Sequence, residues 1–274
     1  MGTPVKILKK KDGWLLIQTP DYYIGWTNDS SIQEMTEKEI ETWKHSGRLI
    51  YTGKSGDILS ETNGSEVVSD IVAGSIVKVV SEKGDCFIVA LPDGRCGEIS
   101  KKEGADFNKW CSGIRPEANR LILFAKTLSG SPYLWGATST KAIDCSGFTK
   151  TIYFTGGVIL ARDASLQFLH GESVDISSSF NNLELGDLVF FGYYSKGEKR
   201  ITHVGMYIGD SEVIHSSGMV RINSLDSTKT DYSNYLKKTI MGARRIIGTG
   251  SGKWIETVTK NNWYNSLDQM ARSL

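Results

Sequence analysis

Residues 131–154 read SPYLWGATSTKAIDCSGFTKTIYF, and this stretch decides the fold of the chain's second half. Phe148, Thr151, Ile152 and Thr155 recur at helical spacing. Asp144 is a good helix N-cap, so the spacing predicts that Cys145 occupies the first turn. Free backbone amides and the positive end of the helix dipole favour a thiolate there, which makes Cys145 a candidate nucleophile. The competing reading is a buried structural cysteine, with Asp144 serving only as a cap.

Two histidines downstream bear on that choice. Residues 201–208 (ITHVGMYI) alternate as a strand, and 212–216 (EVIHS) read as the next one. A three-residue loop at Gly209-Asp210-Ser211 would place Gly205 opposite His215. His203 and His215 then become diagonal neighbours on one sheet face, about 7–8 Å apart. That geometry suits a general base, His203, and a residue that orients it, His215. Cys145, His203 and His215 are also three conceivable zinc ligands, but no further Cys or acidic ligand sits at close spacing and no His-Glu-x-x-His occurs. No metal and no cofactor is expected.

Upstream, residues 2–26 align without gaps onto 74–98 at an offset of 72 residues, with seven of 25 positions identical. Each copy reads strand, polar turn, strand, Pro-Asp turn, strand, a short antiparallel meander. The second copy has a lead-in, residues 65–73, that the first lacks, so the natural chain is expected to extend upstream. Any secretion signal would lie there, and the compartment stays open. Residues 35–45 (MTEKEIETWKH) predict a short helix capped by Thr36 with Glu39 three residues on. Pro116 is expected in the first turn of a helix carrying Leu121, Phe124, Ala125 and Leu128. Leu166 and Leu169 are expected core residues of another.

The chain has 274 residues, room for two or three domains. With 32 Lys plus Arg against 31 Asp plus Glu, the net charge of +1 lacks the electrostatic footprint of a nucleic-acid binder. No apolar run approaches the length of a spanning helix. Four cysteines do not make a disulfide scaffold, although Cys86 and Cys96, on neighbouring predicted strands, would be a pair to test in an exported protein. A strand is expected around residues 254–258, followed by a loose or helical tail.

The Gly-aliphatic-Lys-aliphatic, Asp-Gly-Trp and Pro-Asp-aromatic-aromatic-Ile-Gly-Trp pattern resembles bacterial SH3-like barrels over residues 1–110. Tyr-Leu-Trp-Gly (133–136), Asp-Cys-Ser-Gly-Phe (144–148), Leu-Gly-Asp-Leu-Val-Phe-Phe (185–191) and Thr-His-Val-Gly-Met-Tyr-Ile-Gly (202–209) resemble the NlpC-type papain-like cysteine peptidases of the cell wall over about 115–247. The expected class is therefore α+β: a partial SH3-like barrel (1–34), a helical connector (35–52), a second SH3-like barrel (53–110) and a papain-like peptidase domain (111–274).

The domain order is similar to that of the γ-D-glutamyl-L-diamino acid endopeptidases. The resemblance implies Cys145 as nucleophile, His203 as base, His215 as third catalytic residue and Tyr133 near the oxyanion. It implies Trp135 as a pocket wall and Asp144, Ser146 and Asp163 as substrate contacts. Ala164 stands where a relative can use a Ser hydroxyl. Tyr23, with Tyr22 nearly as suitable, would read the amine of the substrate's L-alanine. Trp135 is equally readable as core, Asp163 as a helix cap, and the Asp187 turn as structural. The implied reaction is hydrolysis of the bond between γ-D-Glu and a diamino acid such as meso-diaminopimelate, in a short peptidoglycan-derived peptide with a free L-Ala, by a monomer. The alternatives are a non-catalytic peptidoglycan-binding protein and an acyltransferase on the same scaffold.

Overall fold

The computed structural model describes residues 1–177, 180–249 and 255–266. Its contacts divide the described residues into two compact units: Met1–Ile114 together with 257–266, and a second over the described residues from Arg115 to Glu256.

In the first unit, β1 (Lys6–Lys11), β2 (Trp14–Gln18) and β3 (Ile24–Asn28) form a three-stranded antiparallel meander. The helix α1 (Glu37–His45) starts at Thr36 with a complete capping box to Glu39, as the spacing predicts. The strands β4 (Arg48–Tyr51), β5 (Ser55–Leu59), β6 (Val67–Val72), β7 (Ile76–Lys83), β8 (Cys86–Ala90), β9 (Cys96–Ser100) and β10 (Gly104–Asp106) make one sheet in the order β10-β4-β7-β8-β9-β5-β6. Helix α2 (Phe107–Gly113) follows.

The repeat extends to hydrogen-bond register. Lys6 faces Gln18 and Ile7 faces Ile17, then the pairing slips between Ile7 and Lys9. In the second copy Lys78 faces Ala90 and Val79 faces Val89, with the slip between Val79 and Ser81. Both bulges thus fall at the same repeat position, and a bulge is a conserved way of bending a strand.

Burial separates the copies. Val77 and Val89 of the second are buried with Ile99 just beyond it and with Leu49, Tyr51, Ile58 and Ile71, which β4, β5 and β6 supply. In the first meander Trp14, Ile24 and Trp26 are about half exposed and Leu15 is buried. Two observations depart from expectation. The stretch read as a connector contributes β4 to the large sheet, because Leu49 and Tyr51 are core residues. Residues 257–266, expected in the peptidase domain, belong with the first unit: Val258 and Tyr264 are buried, and Thr259 donates to the Cys111 carbonyl. Cys86 and Cys96 are free. Cys96 faces Ala90, four residues along β8 from Cys86. That separates the two by roughly 13 Å, too far for a disulfide.

The second unit opens with α3 (Ala118–Thr127). Glu117 takes the N-cap position, so Pro116 lies just before the helix rather than in its first turn. Leu121, Ala125 and Leu128 are buried and Phe124 packs against them. The short hairpin β11 (Thr138–Ser139) and β12 (Ala142–Ile143) leads into α4 (Cys145–Thr155). Then come β13 (Val158–Leu160), α5 (Ala164–Gln167), β14 (Glu172–Val174), β15 (Leu188–Ser195), β16 (Glu198–Gly209), β17 (Glu212–Ser217), β18 (Met219–Ser224), α6 (Asn234–Thr239), β19 (Ile240–Arg245) and β20 (Ile255–Thr257).

An antiparallel sheet in the order β14-β19-β15-β16-β17-β18 forms the centre of this unit, and α4 packs on β16 and β17. Phe148 and Ile152 of the helix are fully buried with Val204, Met206 and Ile214 of the sheet. Leu169 is exposed, against expectation, because the short α5 ends at Gln167 and turns Ala164 and Gln167 inward instead. Asp187 is structural: it accepts from the Glu184 amide and from both Arg245 Nε and Nη2. The expected late strand is β20; Trp254 and the tail beyond residue 266 lie outside the described residues.

Candidate active site

Asp144 stops the chain in an extended conformation and its Oδ1 accepts the Gly147 amide at 2.7 Å, so α4 begins at Cys145. Gly147 has to be glycine, since a Cβ there would sit 2.3 Å from the Ala137 carbonyl oxygen. The cap is itself held. Arg162 donates to Oδ1 at 3.1 Å and to Oδ2 at 2.6 Å, and Oδ2 also accepts the Gly136 amide. Ser146 donates to Asp144 and accepts from Arg162. Burial pushes the Asp144 carboxyl up, but the guanidinium and the two amides outweigh it and hold it below the ordinary value.

Cys145 is buried within the main core of the unit. Burial pushes its thiol above the ordinary value, and the Asp144 charge adds to the rise. Backbone N–H groups of Val204, Ser146 and Cys145 itself point to the sulfur and oppose it without prevailing. Against the expectation of a thiolate favoured by the helix start, burial shifts this thiol toward its protonated form. Desolvation outweighs the helix end, and the residue that caps the helix sets a negative charge beside the sulfur.

The amide that reaches the sulfur belongs to Val204, next in chain to His203 on β16. Met206 faces Ile214, a register that continues to Gly205 opposite His215. The loop is tighter than expected. Asp210 and Ser211, both at positive φ, form a two-residue turn, and a bulge between Tyr207 and Gly209 takes up the difference. The histidines are the expected diagonal pair: His203 Nε2 lies 2.8 Å from His215 Nδ1, with the rings edge to face. His215 Nε2 lies 3.0 Å from Asn223 Oδ1, a partner that sequence reading missed. Burial lowers the His203 value to about 3, with His215 and Arg221 adding to the effect. Burial lowers His215 as well, with Asn223 opposing.

Tyr133 is close enough for burial and the Cys145 and Asp144 charges to raise its hydroxyl. Trp135 is 85 % exposed, so it is not a core aromatic. Asp144 and Ser146 share internal hydrogen bonds with Arg162, which makes them part of the frame around the nucleophile. Asp163 holds the N-cap position of α5, yet its side chain makes no capping hydrogen bond. Ala164 is buried in the core. Tyr23 belongs to the first unit and is partly exposed. Arg162 was visible in the sequence only as part of an Arg-Asp-Ala-Ser string; its role depends on Asp144, 18 residues away. A recess of about 600 Å³ lined by Phe168, Lys199, Lys237 and Arg244 shares no residue with this site. Among the described residues no cluster of His, Cys, Asp and Glu is arranged to hold a metal.

Residues 130–245 match the NlpC/P60 family. A γ-D-glutamyl-L-lysine dipeptidyl-peptidase of Bacillus subtilis is 38% identical over 253 residues, spanning 86% of this chain and 77% of that protein. A protein of the same name from Bacillus cereus is 29% identical over 258 residues, spanning 90% and 74%. The crystal structure of an NlpC/P60 family protein from Bacillus cereus superposes with a TM-score of 0.72 at 28% identity, covering 88% of this chain and 78% of that one.

Proposed function

Because the chain belongs to the NlpC/P60 family of cysteine peptidases, we propose that it hydrolyses the bond between γ-D-glutamate and the diamino acid in short peptidoglycan-derived peptides with a free N-terminal L-Ala. The observation that carries this reading is the convergence at the start of α4. There Cys145 opens the helix, and β16, which packs on that helix, carries His203 backed by His215. The names of the two Bacillus dipeptidyl-peptidases support the γ-D-glutamyl bond and name L-lysine as the diamino acid. The diamino acid we propose is of the L-lysine or meso-diaminopimelate type.

The resting pair is a neutral thiol and a neutral imidazole. As the sulfur attacks the γ-carbonyl carbon, its proton passes to His203 Nδ1, the nitrogen not facing His215. The oxyanion forms near the Cys145 amide and the Tyr133 hydroxyl. Collapse breaks the C–N bond, and the imidazolium protonates the departing amine. Water then attacks the thioester, giving a proton to His203, which passes it to the departing sulfur as the peptide acid is released. Trp135 supplies an aromatic wall, and Asp163 reads the substrate's amine.

The test is mass-spectrometric turnover of L-Ala-γ-D-Glu-meso-diaminopimelate and L-Ala-γ-D-Glu-L-Lys, with N-acetylated forms as controls. Free peptides are expected to be cut and acetylated ones spared. Cys145→Ala is expected to lower turnover by at least about 10³-fold. Full activity of that variant would overturn the reading.

A further inference from the structure

The two imidazoles face each other with one nitrogen apiece, and a single proton has to lie between them. It has two possible homes. On His203 Nε2 it leaves the lone pair of His203 on Nδ1, where a thiol proton can be accepted. On His215 Nδ1 it leaves that lone pair facing His215, and the Nδ1 of His203 is then N–H and no base. The ring–ring contact does not choose between these arrangements.

The neighbouring strand does. Asn223 Nδ2 donates to the Asp231 carbonyl oxygen at 3.0 Å. A carbonyl only accepts, so the amide of Asn223 is oriented with its NH₂ toward Asp231 and its Oδ1 toward His215. The carbonyl is itself pinned, since the Ser224 amide donates to the same oxygen at 3.0 Å and Ser224 bridges Tyr232. Asn223 Oδ1 can only accept, so His215 Nε2 carries a hydrogen. A neutral His215 then has its lone pair on Nδ1 and must receive its bond from His203 Nε2–H. Burial with Arg221 nearby keeps both rings neutral, so the tautomers are what matter.

We infer that Asn223 is a positioning residue that sets the direction of the His215–His203 hydrogen bond, and thereby leaves the lone pair of His203 on Nδ1. It acts through His215 and touches no reacting atom. The inference rests on the proposed roles of Cys145 and His203, but the tautomers can be read without any substrate.

The decisive measurement is a long-range ¹H–¹⁵N correlation spectrum of histidine-labelled protein near neutral pH, for the wild type, Asn223→Leu and Asn223→Asp. In the wild type both rings are expected as the Nε2–H tautomer. Asn223→Leu removes the acceptor and is expected to move His215 toward Nδ1–H. Its kcat should fall by about 10²-fold with KM within about twofold. Asn223→Asp keeps an acceptor at His215 but loses the donor to the Asp231 carbonyl, so it is expected to keep the hydrogen on His215 Nε2 and to retain more of kcat than the leucine variant but less than the wild type. A wild-type His215 in the Nδ1–H form would overturn the inference, as would an Asn223→Leu variant with both tautomers unchanged. If the leucine variant does not fold, the wild-type spectrum decides alone. Expected tautomers in a protein that cuts none of the peptides would sink the proposed substrate and leave the positioning role standing.

Discussion

Arg162 grips both oxygens of Asp144 from 18 residues down the chain, Nη1 to Oδ1 at 3.1 Å and Nη2 to Oδ2 at 2.6 Å, with both side chains nearly buried. The fork fixes the residue that starts the nucleophile's helix. Removing Arg162 leaves a buried carboxylate uncompensated, which costs far more than the pair is worth against a neutral substitute. Arg162→Met is expected to destabilise the protein by about 3–5 kcal/mol. Adding Asp144→Asn should restore part of that loss. Urea unfolding of the single and double variants checks both statements.

The raised thiol predicts how Cys145 reacts. A thiol held above its ordinary value is mostly protonated at neutral pH. Its alkylation by iodoacetamide should therefore climb steadily with pH and reach its inflection above 9.0, the ordinary value. A plateau already reached at pH 6 would reveal a preformed ion pair instead.

The histidine pair predicts a stability profile. His203 has an ordinary value of 6.5 and is held to about 3 in the folded chain. Below 6.5 the unfolded chain takes up a proton that the folded chain refuses. The contribution is fully present above that value and is lost as pH falls from about 6.5 toward 3. His215 is shifted in the same direction. Thermal unfolding should show Tm falling across this window, ahead of the range where Asp144, held below 3.8, begins to protonate. His203→Gln should flatten the slope.

Gly205 lets β16 and β17 approach where the histidines meet. A Cβ there would lie 2.4 Å from Val213 Cγ1 and 3.0 Å from His215 Cβ. Gly205→Ala is expected to cost about 1–3 kcal/mol. It should also depress kcat by displacing His215, while an alanine at the exposed turn glycine Gly197 should leave kcat unchanged. Denaturation and steady-state kinetics separate the two effects.

Much of this protein was decided within short reach along the chain. The 72-residue repeat, down to its bulges, follows from turn residues and alternation inside each 25-residue copy. The capping box at Thr36 and the start of α4 at Asp144 are local hydrogen-bond chemistry. The meeting of His203 and His215 follows from the two-residue strand period. It survived a misjudged loop because a bulge absorbed the extra residue.

What tertiary structure alone decided concerns partners far apart in sequence or set by burial. The Asp144–Arg162 fork and the docking of residues 257–266 on the first unit depend on packing. The orientation of Asn223 depends on a main-chain carbonyl, which no residue type announces. The protonation of Cys145 turned on the same distinction. A helix end can be read from spacing, but the loss of water around the sulfur appears only once the core has closed over it.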